Sequence, residues 1–227
     1  METIAERLKS VQISVEQSTL DAHRPSKVVQ LLAVSKTKPV SDIVQAYKAG
    51  QRLFGENYVQ EGLEKIQALQ KLDDIEWHYI GPLQSNKTRL VAEHFAWVQA
   101  IDRLKIAQRL NDQTNPNKTL NVCIQVNIDD DENKAGINAN ELNDFAKAIA
   151  KLPNLKLRGL MTIPKANQSE LEQAASFARM AGLFNELKKH YSSVDTLSMG
   201  MSGDMQNAIN NGSTMVRVGT AIFGSRS

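Results

Sequence analysis

Short apolar runs recur along this chain, and segments with a helical period separate them. The runs are Leu31–Lys36, Arg52–Asn57, Trp77–Pro82, Phe95–Ile101, Leu120–Ile128, Leu155–Ile163, Thr196–Met201 and Met215–Phe223. Their length and near-continuous apolar character predict strands buried on both faces. Between them, Ser41–Gly50 places Ile43, Val44, Ala46 and Tyr47 at helical spacing and stops at a glycine. Asp102–Thr114, Asn140–Lys151 and Ser169–Tyr191 are equally periodic, and Glu2–Leu20 precedes the first run with the same pattern. Strand–helix alternation predicts parallel strands joined by right-handed crossovers. Eight such units predict a single (β/α)8 barrel of the TIM type over residues 1–227, with one extra N-terminal helix. A doubly wound open sheet is the alternative, and it is weakened because no glycine-rich dinucleotide turn follows the first strand.

In such a barrel, chemistry sits at the C-terminal ends of the strands. The most unusual residue there is Lys36, which closes the first apolar run Leu31-Leu32-Ala33-Val34-Ser35-Lys36. A lysine at a buried strand end either snorkels to solvent or serves as an amine. A desolvated amine is the nucleophile that condenses with aldehydes. Two small-residue turns follow the last two strands: Ser202-Gly203-Asp204, which opens the helical stretch Met205–Asn211, and Gly219-Thr220. Either turn alone reads as a helix cap. Together they match the usual phosphate site of this barrel, after strands seven and eight. Arg217 interrupts the apolar run Met215-Val216-Arg217-Val218 and shares a face with Gly219. A buried guanidinium needs an acceptor. It either pairs with an inward acid such as Glu56 or donates to a ligand in the barrel mouth. An aldehyde that also carries a phosphate and a ring nitrogen is pyridoxal 5'-phosphate (PLP), and the lysine, the small-residue loops and the arginine answer those three groups.

These residues lie in longer stretches that resemble a known family, the pyridoxal phosphate homeostasis proteins, also called the YggS or proline-synthetase-co-transcribed family. The similar stretches are Ala33-Val34-Ser35-Lys36-Thr37-Lys38-Pro39, Phe54-Gly55-Glu56-Asn57-Tyr58, His78-Tyr79-Ile80-Gly81-Pro82-Leu83-Gln84-Ser85-Asn86-Lys87 and Gly159-Leu160-Met161-Thr162-Ile163. Leu197-Ser198-Met199-Gly200-Met201-Ser202-Gly203-Asp204 and Val216-Arg217-Val218-Gly219-Thr220-Ala221-Ile222-Phe223-Gly224 complete the set, which spans nearly the whole chain in order. The resemblance implies a fold like the N-terminal domain of alanine racemase. It also implies PLP held as an internal aldimine on Lys36. By the same likeness, Ser202, Gly203, Gly219 and Thr220 bind its phosphate, Arg217 lies near the pyridine nitrogen, and Asn57 and Met161 line the pocket. His78 and Asn86 sit in matching motifs, either as site residues or as satisfied core and loop residues.

Composition narrows the function. Net charge is +2, with 23% charged residues, which gives no support for a nucleic-acid surface. The one cysteine, Cys123, lies in the apolar run Val122-Cys123-Ile124 and reads as a buried structural thiol in a reducing compartment. The charged start Met1-Glu2-Thr3-Ile4-Ala5-Glu6-Arg7 lacks the apolar core of a signal peptide, and no segment approaches the length of a membrane span. A cytoplasmic, monomeric protein is expected. The similar racemases follow their barrel with a second β domain, whereas this chain reaches Gly224-Ser225-Arg226-Ser227 directly after the eighth run. A racemase also needs a second base on the opposite substrate face, and none stands out.

The leading expectation is therefore a non-enzymatic PLP-binding protein of vitamin B6 homeostasis. It would buffer the cofactor or deliver it to PLP-dependent apo-enzymes. A small PLP-dependent amino-acid racemase is the alternative. A third reading, from another class, is a sugar-phosphate barrel enzyme whose Lys36 condenses with its substrate.

Overall fold

The computed structural model describes residues 2–225. Met1, Arg226 and Ser227 lie outside it, and with them the end of the chain on which the expectation of a missing β domain bears.

Among the described residues, eight parallel strands close into one barrel in sequence order. They are β1 (Gln30–Val34), β2 (Leu53–Glu56), β3 (Glu76–Tyr79), β4 (Trp97–Ile101), β5 (Leu120–Gln125), β6 (Leu155–Met161), β7 (Thr196–Ser198) and β8 (Met215–Val218). The α-helices are α1 (Ile4–Asp21), α2 (Val40–Lys48), α3 (Val59–Ala68), α4 (Thr88–His94), α5 (Leu104–Gln113), α6 (Leu142–Ala150), α7 (Glu170–His190), α8 (Met205–Asn210) and α9 (Thr220–Phe223). The expected barrel and its extra N-terminal helix are both present. Closure runs through β1 and β8, where Leu32 pairs with Arg217 and Ala33 with Val218.

Every expected strand appears, shorter than its apolar run. The largest difference is at the last one. The run Met215–Phe223 divides at Gly219, and Thr220–Phe223 is a turn of helix rather than strand. Ile222 and Phe223 bury themselves on α1 rather than in the sheet. Lys36 likewise lies beyond β1, in a turn that ends at Thr37 with φ +62°.

One glycine is required by the sheet itself. Gly159 in β6 has φ +152°, and a Cβ there would stand 1.8 Å from the Thr196 carbonyl oxygen. The β5–β6 register shifts at this point, between Val122 and Cys123.

Helix α1 positions the two short helices at the mouth. It begins with a capping box in which the Thr3 side chain accepts from Glu6 N–H, and it packs against α2, α8 and α9. Arg7 Nε donates to the Ile222 carbonyl of α9 at 2.7 Å. Just past α1, Arg24 donates to the Ile209 and Ser213 carbonyls at 2.8 and 2.7 Å. Each cation thus meets the carbonyl end of a short helix, where the helix dipole favours positive charge.

Candidate functional site

Lys36, Gly219 and Thr220 meet in one recess at the barrel mouth, together with Val34, Thr37, Lys38 and Gly224. Strand closure brings them together, because β1 and β8 are neighbours. Gly219 is the tight point. A Cβ there would lie 3.1 Å from the Val34 carbonyl oxygen and 3.4 Å from Val34 Cβ. The absence of a side chain lets the backbone of α9 begin against β1. Lys38 Nζ donates to the Ser225 carbonyl at 2.7 Å.

Ser202 and Gly203 lie in the turn after β7, and both are exposed. A Cβ on Gly203 would meet nothing within 4 Å. Asp204 folds this turn by accepting the Met201 N–H through Oδ1. Gly203 borders a groove beside the start of α7, where Glu170, Gln173 and Asn207 face it.

Arg217 is buried, with 5% of its surface exposed. One of its terminal nitrogens donates to Ser198 Oγ at 2.8 Å and the other to the Thr162 carbonyl at 2.9 Å. Burial lowers its pKa to about 10, so the guanidinium stays charged at neutral pH. The alternative of an ion pair with Glu56 is overturned. Glu56 is committed instead to Lys65, at 2.8 Å, and to the Ser35 hydroxyl, at 2.6 Å.

Ser198 belongs to a chain of hydrogen bonds that crosses the barrel interior. Arg217 donates to Ser198, and Ser198 Oγ donates to Gln99 Oε1 at 2.7 Å. Gln99 Nε2 reaches His78 Nδ1 at 2.9 Å, and His78 Nε2 reaches Glu76 Oε1 at 3.1 Å. The directions follow from the ends. A guanidinium only donates and a carboxylate only accepts. The His78 bond holds the Glu76 carboxyl below the usual carboxylate range, which keeps it an acceptor. Gln99 therefore donates to Nδ1, and His78 carries its proton on Nε2. His78 is fully buried, and burial pushes its pKa down. It also stacks on Trp97, with ring centroids 5.0 Å apart. His78 is thus the satisfied core residue of the two readings, while Asn86 is an exposed residue at the surface.

Met161 is buried at the end of β6, in a small apolar cluster with Trp97, Ala100 and Cys123. Burial raises the Cys123 thiol to about 12, so it behaves as the inert structural cysteine expected. Asn57 borders a separate groove with Tyr58, Gln84, Lys87 and Arg103, and its Oδ1 is buried without a hydrogen-bond partner. Tyr58 points outward there, 54% exposed.

The expected site residues thus lie at consecutive strand ends around one mouth, and Lys36, Gly219 and Thr220 share a single recess. Sequence reasoning missed Gln99, Thr162 and Lys65. Only Lys65 left a signal, its spacing of four from Glu61 on a helix.

Comparison with known proteins gives this arrangement a family. The alanine racemase N-terminal domain family matches residues 16–227. The pyridoxal phosphate homeostasis protein of Pasteurella multocida is 57% identical, over 99% of this chain and 98% of that protein. Its namesake in Escherichia coli strain K12 is 53% identical, over 100% of this chain and 98% of that protein. Among solved structures, PipY of Synechococcus elongatus with PLP bound superimposes with a TM-score of 0.83 at 37% identity, covering 98% of this chain and 100% of that one. Alanine racemase from Corynebacterium glutamicum shares the fold, with a TM-score of 0.70 at 16% identity, and this chain spans 61% of its length. The chain belongs to the pyridoxal phosphate homeostasis protein family and has the barrel of the alanine racemase N-terminal domain.

Proposed function

We propose that this barrel is a single PLP-binding domain that keeps the cofactor in reserve and releases it, without robust catalysis of its own. The observation that carries the reading is the shared recess of Lys36, Gly219 and Thr220, in a chain 37% identical to a protein whose structure holds PLP. The residues fit the cofactor's three groups. Lys36 offers an amine at the recess. Ser202, Gly203, Gly219 and Thr220 offer backbone amides without bulky side chains, suited to a phosphate. Arg217 offers a fixed cation for the ring nitrogen, Met161 is buried at the end of β6, and Asn57 borders the groove after β2. When bound, PLP would supply an aldehyde that condenses with a lysine amine with loss of one water.

The electrostatics favour holding over catalysis. Arg217 remains charged at neutral pH, and a cation beside the ring nitrogen disfavours its protonation. An unprotonated ring is a poorer electron sink. Cys123 and Tyr79, each raised to about 12 by burial, are poorly matched to acid–base work near pH 7. The reading extends to a monomer in the cytoplasm with apo-enzymes as recipients. The buried free thiol of Cys123 supports the reducing compartment in this reading, and no helix among the described residues is long and apolar enough to cross a membrane.

Borohydride reduction of the PLP-loaded protein followed by peptide mapping tests the attachment. The pyridoxyl group is expected on Lys36, and Lys36→Ala is expected to lose the bound-cofactor absorbance while keeping its fold. A label found mainly on Lys38 refutes the assignment. Racemisation of common amino acids faster than about 1 s⁻¹, the low end of ordinary enzymes, refutes the carrier reading.

A further inference from the structure

The peptide on either side of Lys36 is tied to a buried ion cluster that the proposed cofactor site does not use. Lys65 lies on α3 and is 4% exposed. Its ammonium donates to the Ser35 carbonyl at 2.7 Å, to Glu56 Oε1 at 2.8 Å and to Glu61 Oε1 at 2.6 Å. Those three bonds use all three ammonium donors. Ser35 Oγ donates to the same Glu56 oxygen at 2.6 Å. On the other side of the turn, Thr37 N–H donates to the same Glu61 oxygen at 2.6 Å. The residues before and after Lys36 are thus held by two carboxylates that one lysine joins. Thr37 has φ +62°, a left-handed conformation that a β-branched residue avoids unless its surroundings impose it.

Stability alone is a poor explanation for this cluster. Buried ion groups are often replaced by apolar residues with no loss of stability. Here Glu56 Oε2 is buried without a hydrogen-bond partner, and burial raises the Glu56 pKa. Burying that carboxylate costs free energy, which counts against a purely stabilising role. What it does achieve is a fixed backbone at residues 35 and 37.

We propose that Lys65, Glu56 and Glu61 are positioning residues that hold the Lys36 turn so that its amine faces the aldehyde of PLP. The inference rests on the attachment proposed at Lys36. In the condensation, the amine nitrogen takes the place of the aldehyde oxygen, a C=N bond forms and one water leaves. Its rate depends on alignment, and a misplacement of about 1 Å costs roughly 10²-fold. The phosphate loops after β7 and β8 make no hydrogen bond to the cluster. Loosening it therefore affects covalent capture and leaves non-covalent binding in place.

The test uses Lys65→Met and Glu61→Ala. Glu61 has a side chain 28% exposed, so its loss removes the Thr37 anchor without emptying the core. Two quantities are read on each protein: the rate of borohydride-trapped PLP incorporation, and the affinity for pyridoxamine 5'-phosphate, which has no aldehyde. Trapping is expected to slow by at least about tenfold in both variants, with the label spreading from Lys36 to Lys38. Pyridoxamine 5'-phosphate affinity is expected to stay within about twofold of wild type. Unchanged trapping in Glu61→Ala, or an equal loss in both quantities, overturns the inference, and this holds even if Lys65→Met fails to fold. A wild-type label away from Lys36 overturns the attachment and the inference with it. A wild-type label on Lys36 with normal trapping in Glu61→Ala overturns the inference alone.

Discussion

Gly203→Val separates the phosphate loop from the barrel that carries it. A Cβ at Gly203 meets no heavy atom within 4 Å, and its φ lies outside the left-handed region. The protein without cofactor should therefore keep its stability to within about 0.5 kcal/mol. Gly219 is a worse choice, because a Cβ 3.1 Å from the Val34 carbonyl oxygen presses on β1 and disturbs the barrel as well as the ligand. With valine at 203, a phosphate seated against this turn is displaced from at least one charge-assisted hydrogen bond, worth about 1.5–3 kcal/mol. That corresponds to a dissociation constant roughly 10- to 150-fold larger for PLP. Pyridoxal has the same ring and aldehyde but no phosphate, and its affinity should fall less than about twofold. Absorbance titration of both ligands against wild type and variant gives the ratio directly. Equal losses for the two ligands, or no loss for PLP, would show that the phosphate does not rest on this turn.

Two further outcomes concern the scaffold. His78 is buried neutral with a lowered pKa, so the unfolded chain binds its proton first as pH falls. Its contribution is complete well above pH 6.5 and is lost progressively as the pH falls below it. Urea unfolding at pH 7.5 and 5.5 should show this loss in wild type and not in His78→Gln, and identical pH slopes would contradict it. Gly159→Ala places a Cβ 1.8 Å from the Thr196 carbonyl oxygen at φ +152°. It should cost more than about 3 kcal/mol or prevent folding, as read by circular dichroism and denaturation, and a near-neutral substitution would mean that β6 follows a different path there.

The barrel was legible because its strands are apolar on both faces and punctuated by polar turns. What sequence could not place were the ends. The run Met215–Phe223 is apolar on both sides of Gly219, and periodicity does not separate a short strand from a following helical turn. Helices α3 and α4 went unmarked among the motifs around them. Lys36, Arg217 and the two small-residue turns were legible as oddities: charged or small residues where a buried strand should continue. Their partners were not. An acid was one expected partner for Arg217, yet its acceptors are a hydroxyl on β7 and a carbonyl after β6, brought near only by closure of the sheet. Lys65 looks like any exposed helix lysine until the fold buries it.

The hydrogen-bonded chain from Arg217 to Glu76 also acts as a key for strand alignment. Its five side chains come from β3, β4, β7 and β8. Because one end can only donate and the other only accept, the three middle residues have a single workable orientation. Sliding any of these strands by one residue would turn its member out of the barrel and leave a buried donor or acceptor facing apolar carbon. Parallel apolar strands such as these are otherwise nearly interchangeable in their pairing. Misaligned barrels are therefore penalised at the buried members His78, Gln99, Ser198 and Arg217, and each of the four strands is held to one alignment by a side chain that an all-apolar interior would lack.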